Sequence, residues 1–140
     1  MPSSAASHSI AHEELAKLLH QARLEAREVA PLTESQPSLS ATDAYRVQDL
    51  GIGFREQLGE KVIAYKMGLT SKAKRDQMGL NEAIYGVLTD RMRLASGSMY
   101  PLSGQIHPKA EPEIAIKTGK PLSGAVSRDQ AWEAVAEIAP

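Results

Sequence analysis

Residues 106 to 116, "IHPKAEPEIAI", place a histidine, a lysine and two glutamates inside a run whose isoleucines belong to a buried strand. Side chains alternate between the faces of a strand, so His107, Lys109, Glu111 and Glu113, all odd-numbered, are expected to share one face. The two carboxylates then stand about 7 Å apart and point the same way. Like charges so placed repel unless a cation lies between them or water bathes them, and carboxylate oxygens are the ligands that Mg2+ and Mn2+ prefer. The spacing fits half of a divalent-metal site. It fits equally an edge strand with a wet outer face, which Pro112 suits because it cannot donate a ladder hydrogen bond.

A second stretch with chemical content is "AYKMGLTSKAK", residues 64 to 74. Lys66 falls mid-strand on the same face as Ala64 and Gly68, where small neighbours leave room for a ligand. Such a lysine is either a snorkelling surface residue or a cation held against an anionic partner. Thr70 and Ser71, at an expected helix start, add hydroxyls and backbone N–H groups to which an anion binds, although the same residues cap helices that bind nothing. His8, His12 and His20 lack metal-ligand partners in sequence and are expected to face solvent.

The elements that must hold these residues follow from periodicity and punctuation. A polar tail over residues 1 to 8 precedes a helix from the Ser9 cap to about Glu28, with Leu15, Leu18, Leu19 and Ala22 as its apolar stripe. "VAPLTESQPSL" reads as an irregular connection. Ser40 with Asp43 resembles a capping box opening a second helix to about Leu58, which Gly59 ends. "KVIAYKMGL" is strand-like, and "TSKAKRDQMG" is a short helix capped by Thr70 or Ser71 and stopped by Gly79. Strand-like runs follow at "AIYGVLT", "GSMYPL" and "IHPKAEPEIAIK", and "SRDQAWEAVAEIA" reads as a closing helix with Ser127 and Gln130 as its capping box. Helices, then strands, then a helix make an α+β chain rather than a βαβ repeat.

Composition narrows the function classes. The chain has 140 residues, enough for one domain with a core, and 16 basic against 17 acidic residues, so no polycationic surface for nucleic acid is implied. It has no cysteine, which excludes disulfides, thiolate nucleophiles and cysteine zinc sites. No apolar run is long enough to span a bilayer, and the N-terminus lacks the pattern of a secretory signal. A soluble cytoplasmic protein acting on a small molecule, with neither nucleic acid nor membrane as partner, is the expectation.

Three stretches in this order, "PLTESQPSLSATDAYRVQ", "YKMGLTSKAKRDQMGLNEAIYGVL" and "IHPKAEPEIAI", resemble the hydratase/decarboxylase family that handles 2-oxo acids in aromatic meta-cleavage pathways, within the fumarylacetoacetase-like superfamily. The resemblance covers about residues 25 to 140. It implies that Glu111 and Glu113 bind Mg2+ or Mn2+, that Lys66 and Lys109 take part in catalysis, and that Thr70, Ser71 and His107 contact substrate. It implies a carboxy-lyase or hydro-lyase working as a homo-oligomer or in a complex of decarboxylase with hydratase. Hydratases of the family carry an acidic residue just before the aromatic-glycine pair of the "NEAIYG" stretch, and here that position is Ile84. Ile84 and "HPK" side with decarboxylation of 2-oxo-3-hexenedioate (4-oxalocrotonate) over hydration of 2-oxopent-4-enoate.

The family's third carboxylate ligand sits on a strand after the helix that corresponds to "DQAWEAVAEIAP", and Pro140 closes this sequence. Glu133 and Glu137 are expected in that helix and not at the ligand position. The resemblance thus implies that residues 9 to 140 are the N-terminal portion of one hydratase/decarboxylase domain, apparently truncated within the family's mixed β-fold, and expected to be inactive alone. A non-catalytic half-domain that partners full-length homologues is the alternative of another class.

Overall fold

The structure, a computed structural model, describes residues 4 to 140, with side chains from residue 11 onward. Of the expected tail, residues 1 to 3 lie outside the described residues, as does the side chain of His8. The chain forms two compact units, Met1–Ile106 and His107–Pro140. Among the described residues no helix is long and apolar enough to cross a membrane.

In the first unit, α1 (Ser4–Leu24) packs against α3 (Ala41–Gln57). The helix α1 starts earlier than its expected Ser9 cap and ends earlier than Glu28, because Ala26 turns left-handed at φ 50° and Arg27 N–H closes back on the Ala22 carbonyl at 2.8 Å. A single short turn, α2 (Leu32–Ser35), interrupts the connection expected to be irregular. At the start of α3 the capping box is present in full: Asp43 N–H donates to Ser40 Oγ, and Ser40 N–H to the Asp43 carboxylate. Ala16, Ala22 and Val47 are buried between the two helices. His12 and His20 do not face solvent as expected. Nε2 of His12 lies 2.9 Å from Asp43 Oδ1, and the His20 ring meets Phe54 edge-on at 5.6 Å. Both histidines fall on the stripe that α1 turns toward α3.

The strand β1 (Val62–Gly68) pairs antiparallel with β2 (Ile84–Thr89), with the helix α4 (Lys72–Met78) in the connection between them. Ser71 caps α4 and Gly79 ends it in the left-handed conformation, as their residue types dictate. A buried polar network fastens this hairpin to α3. Arg55 Nε donates to Glu60 Oε2 at 2.8 Å, Arg55 Nη2 donates to Thr89 Oγ1 at 3.2 Å, and the Thr89 hydroxyl donates to the same Glu60 oxygen. All three residues are buried, Thr89 completely.

The second unit pairs β3 (Ala115–Thr118) with β4 (Val135–Ala139), antiparallel, with α5 (Arg128–Glu133) before β4. Three expectations are corrected. "GSMYPL" forms no strand: Ser98 N–H turns back on the Ala95 carbonyl, and Gly97 has φ 78°. The strand expected over residues 106 to 117 begins only at Ala115, because Pro108 and Pro112 lack N–H donors and His107 stands at φ 45°. The closing helix ends at Glu133, and residues expected to continue it form β4, where Ile138 pairs with Ile116 and Glu137 with Lys117. Helix propensity in "AVAEIA" yields to this long-range pairing. The chain's single tryptophan, Trp132, lies on α5 and is exposed.

Burial pushes the Glu60 carboxyl up, but hydrogen bonds from Thr89 and Arg55 outweigh it and hold the carboxyl below its ordinary value of 4.5. Removing one partner of a buried pair leaves the other charge uncompensated, so Glu60→Ala is expected to cost about 3–5 kcal/mol in chemical denaturation. The depressed folded value means that Glu60's contribution is present above pH 4.5 and disappears as the pH falls through the folded value. Denaturation midpoints of wild type and Glu60→Gln should therefore draw together in acid.

Candidate active site

Lys66 occupies the middle of β1, directly opposite Gly86 on β2. Its strand neighbours on that face are Ala64 and Gly68, and the pairs Ala64 with Leu88 and Gly68 with Ile84 complete the surface. Gly86 brings no side chain of its own opposite the lysine, and Gln48 of α3 approaches there, its Oε1 3.9 Å from where a Gly86 Cβ would stand. Sequence alternation found Ala64 and Gly68 but not Gly86, since register is a property of the pairing. A Cβ on Gly68 would come within 3.0 Å of Ile84 Cγ1, so Ile84 packs onto that glycine and forms an apolar wall beside the lysine.

The opposite face of the hairpin carries Tyr65, Met67, Tyr85 and Val87. Tyr85 stacks on Tyr45 of α3 with ring centres 4.5 Å apart and planes 13° from parallel, while Tyr65 meets Tyr85 edge-on. Tyr85 N–H also donates to the Tyr45 hydroxyl at 3.2 Å. Tyr45 therefore holds the strand one residue from Gly86. Nothing in its local sequence announces that role.

Beyond Gly68 the chain bends sharply. Leu69 is left-handed at φ 53°, a conformation that costs a leucine about 1–2 kcal/mol. Arg75 returns from α4 to bind this bend, its Nη1 donating to the carbonyls of Leu69 at 3.0 Å and Thr70 at 2.7 Å. The Ser71 hydroxyl accepts from Lys74 N–H as the helix cap. Thr70 and Ser71 thus stand on an exposed bend held from behind by Arg75.

In the second unit, His107, Lys109, Glu111 and Glu113 lie ahead of β3 in exposed, non-strand chain. The shared strand face expected for the four is not formed, since His107 is left-handed and the ladder starts after Pro112. Glu111 and Glu113 remain two carboxylates in one short segment, each with interactions of its own. Among the described residues, no group of three or more His, Cys, Asp or Glu side chains is placed to hold a metal. Glu137 is occupied, its Oε1 accepting from Lys117 Nζ at 2.7 Å across the β3–β4 pair. Two hard oxygen donors suit Mg2+ or Mn2+, which keep several waters, better than they suit softer ions.

No family model matches the chain. In sequence it is 40% identical over 110 residues to 4-oxalocrotonate decarboxylase of Pseudomonas putida, covering 79% of this chain and 42% of that protein. It is 38% identical over 125 residues to 2-hydroxyhexa-2,4-dienoate hydratase of Comamonas testosteroni, covering 87% and 47%. In structure it matches 4-oxalocrotonate decarboxylase from Pseudomonas putida G7, complexed with magnesium and adipate, with a TM-score of 0.86 and 34% identity over 91% of this chain and 49% of that one. The chain is a homologue of the hydratase/decarboxylase family. It spans about half the length of the curated relatives it matches. The α+β architecture expected from sequence is the architecture of that half.

Tyr45→Phe removes the acceptor for Tyr85 N–H and is expected to cost about 0.5–1.5 kcal/mol. Tyr45→Ala also loses the stacked ring and should cost more, with both losses read from urea denaturation.

Proposed function

We propose that this chain contributes to metal-dependent decarboxylation of 2-oxo-3-hexenedioate to 2-hydroxypenta-2,4-dienoate, in the cytoplasmic breakdown of cleaved aromatic rings. The observation that carries the choice of reaction is Ile84. It places a hydrocarbon wall beside Lys66 at the position where the family's hydratases have an acid, and decarboxylation requires no base to activate water there. The magnesium and adipate bound by the Pseudomonas putida G7 decarboxylase support the substrate class, since adipate is also a six-carbon dicarboxylate.

In the reaction, the C5–C6 bond breaks and CO2 departs. The freed pair forms C4=C5, the C3=C4 pair moves to C2=C3, and the C2 oxygen becomes an enolate that takes up a proton. Glu111 and Glu113 would hold Mg2+ or Mn2+, which would supply Lewis-acid stabilisation of the developing enolate. Lys66, opposite Gly86, offsets charge developing on the C2 oxygen. Lys109 binds a substrate carboxylate. Thr70, Ser71 and His107 supply polar contacts that orient the diacid. Exposed apolar residues on both small sheets, among them Tyr65, Met67, Ile116 and Ile138, support work in an assembly, either of like subunits or of decarboxylase with hydratase.

Hydration of 2-oxopent-4-enoate is the second reading, favoured by the match to the Comamonas testosteroni hydratase, which takes in more of this chain than the Pseudomonas putida decarboxylase does. A chimera in which this chain replaces the matching half of the Pseudomonas putida decarboxylase separates the readings. It is expected to release CO2 from the diacid only with Mg2+ or Mn2+, and Lys66→Met should lower kcat by ~100-fold or more. Hydration of the dienoate without CO2 release would move the assignment to the hydratase. Absence of both reactions would favour a non-catalytic partner.

For the metal, Mn2+ binding to the 140-residue chain is read from water-proton relaxation. Glu111→Gln or Glu113→Gln should each weaken it by at least the roughly tenfold that loss of an outer-shell contact costs.

A further inference from the structure

Arg75 on α4 has no part in the reaction as described, yet its guanidinium reaches back to the strained turn just beyond Lys66. Its Nη1 donates to the Leu69 carbonyl at 3.0 Å and to the Thr70 carbonyl at 2.7 Å. The arginine is itself fixed at both ends of its helical turn. Its N–H donates to the Ser71 carbonyl at 3.1 Å, and its carbonyl accepts from Leu80 N–H at 2.9 Å. Asp76, beside it in sequence, pairs with Lys72, so the half-buried guanidinium serves main-chain oxygens while another cation serves the adjacent acid.

This clamp decides the direction in which the bend presents its polar groups. Leu69 has φ 53°, where a leucine Cβ crowds the following carbonyl oxygen. Neither glycine nor asparagine stands there, so contacts and not residue type impose the conformation. No peptide bond here is cis, and in a trans peptide the C=O and N–H point opposite ways. The Leu69 carbonyl turned to Arg75 therefore turns Thr70 N–H away from it, and the Thr70 carbonyl does the same for Ser71 N–H. Two successive carbonyls drawn to one cation leave two successive donors on the other side. Thr70 and Ser71 are exposed, and the Ser71 hydroxyl, whose oxygen accepts from Lys74 N–H, keeps its own proton to give outward. A bend with its oxygens outward would repel a carboxylate, whereas one with its donors outward attracts it.

We propose that Arg75 is a positioning residue for the substrate. It does not touch the diacid; it holds the bend from Leu69 to Ser71 with its donors outward, so that Thr70 and Ser71 meet a substrate carboxylate. This deepens the decarboxylase reading and rests on its assignment of Thr70 and Ser71 to the substrate. Lysine at this position would keep the charge but replace the planar guanidinium with a compact ammonium on a different stem.

The hold on the bend is read in the 140-residue chain itself. Backbone 13C shifts of Leu69 should report the left-handed conformation, and Arg75→Met should move them out of that range. Its consequence for the substrate is read by calorimetry of adipate with the magnesium-loaded chimera of this chain and the Pseudomonas putida decarboxylase. Hydrogen bonds to a charged group are lost when the bend relaxes, so Arg75→Met is expected to weaken adipate at least about tenfold, raising KM for the diacid more than it lowers kcat. Arg75→Lys should weaken adipate at least about threefold, and it carries the comparison if Arg75→Met does not fold. Adding Leu69→Asn to Arg75→Met should recover most of the lost affinity, because asparagine accepts left-handed backbone while restoring no contact to the arginine. Leu69 still left-handed in Arg75→Met, unchanged adipate affinity in both arginine variants, no recovery with Leu69→Asn, or no adipate binding by the unsubstituted chimera would overturn the proposal. Adipate binding that follows this pattern without CO2 release from the diacid would support Arg75 in its role and overturn the reaction assignment alone.

Discussion

The buried carboxylate of Glu60 is the constraint on which the first unit turns. A charge withdrawn from water requires partners with exact geometry, because leaving it unpaired costs far more than the pair returns. Its partners come from two distant places in sequence, Arg55 at the end of α3 and Thr89 at the end of β2. Satisfying one carboxylate therefore fixes where the helix stops, how the chain turns into β1, and where β2 must finish. Counting back from Thr89 along the ladder puts Gly86 across from Lys66. The glycine opposite the lysine is a downstream result of a polar contact at the far end of the hairpin.

Local chemistry was the legible part of the sequence. The Ser40–Asp43 and Ser127–Gln130 capping boxes, the Ser71 cap and the left-handed Gly79 all stand where residue type placed them, because a cap is decided by neighbours three or four positions away. Pairing across long separations was not legible. Residues 135 to 139 carry helix-forming alanine and glutamate, yet they meet β3 and extend. Pro112 suits an edge strand by type, whereas the ladder starts only beyond it. His12 looked like a surface residue until Asp43 was seen to come within 2.9 Å from another helix.

The candidate site divides along the same line. Alternation along β1 identified the face of Lys66 and its small neighbours, and the unusual charge density near residue 111 drew notice without any partner known. Gly86, the Ile84 wall and the Tyr45 anchor depend on register and on helix placement, which no single strand encodes. The two left-handed residues other than glycine beside these motifs, Leu69 and His107, tell a related story. Strained backbone of this kind persists where surrounding contacts over-determine it, and Arg75, clamped on the Leu69 and Thr70 carbonyls, is a visible part of that determination.

Aromatic residues are distributed unevenly between the two units, and this gives each its own optical signature. All four tyrosines, Tyr45, Tyr65, Tyr85 and Tyr100, fall in the first unit, whereas Trp132 stands alone in the second. Red-edge excitation selects the indole, so its emission follows the small β3–β4 unit with no background from the helices. The stacked Tyr45–Tyr85 pair is expected to contribute to the near-ultraviolet dichroism of the other unit. Unfolding one unit ahead of the other would separate the two signals, and a single cooperative transition would superimpose them.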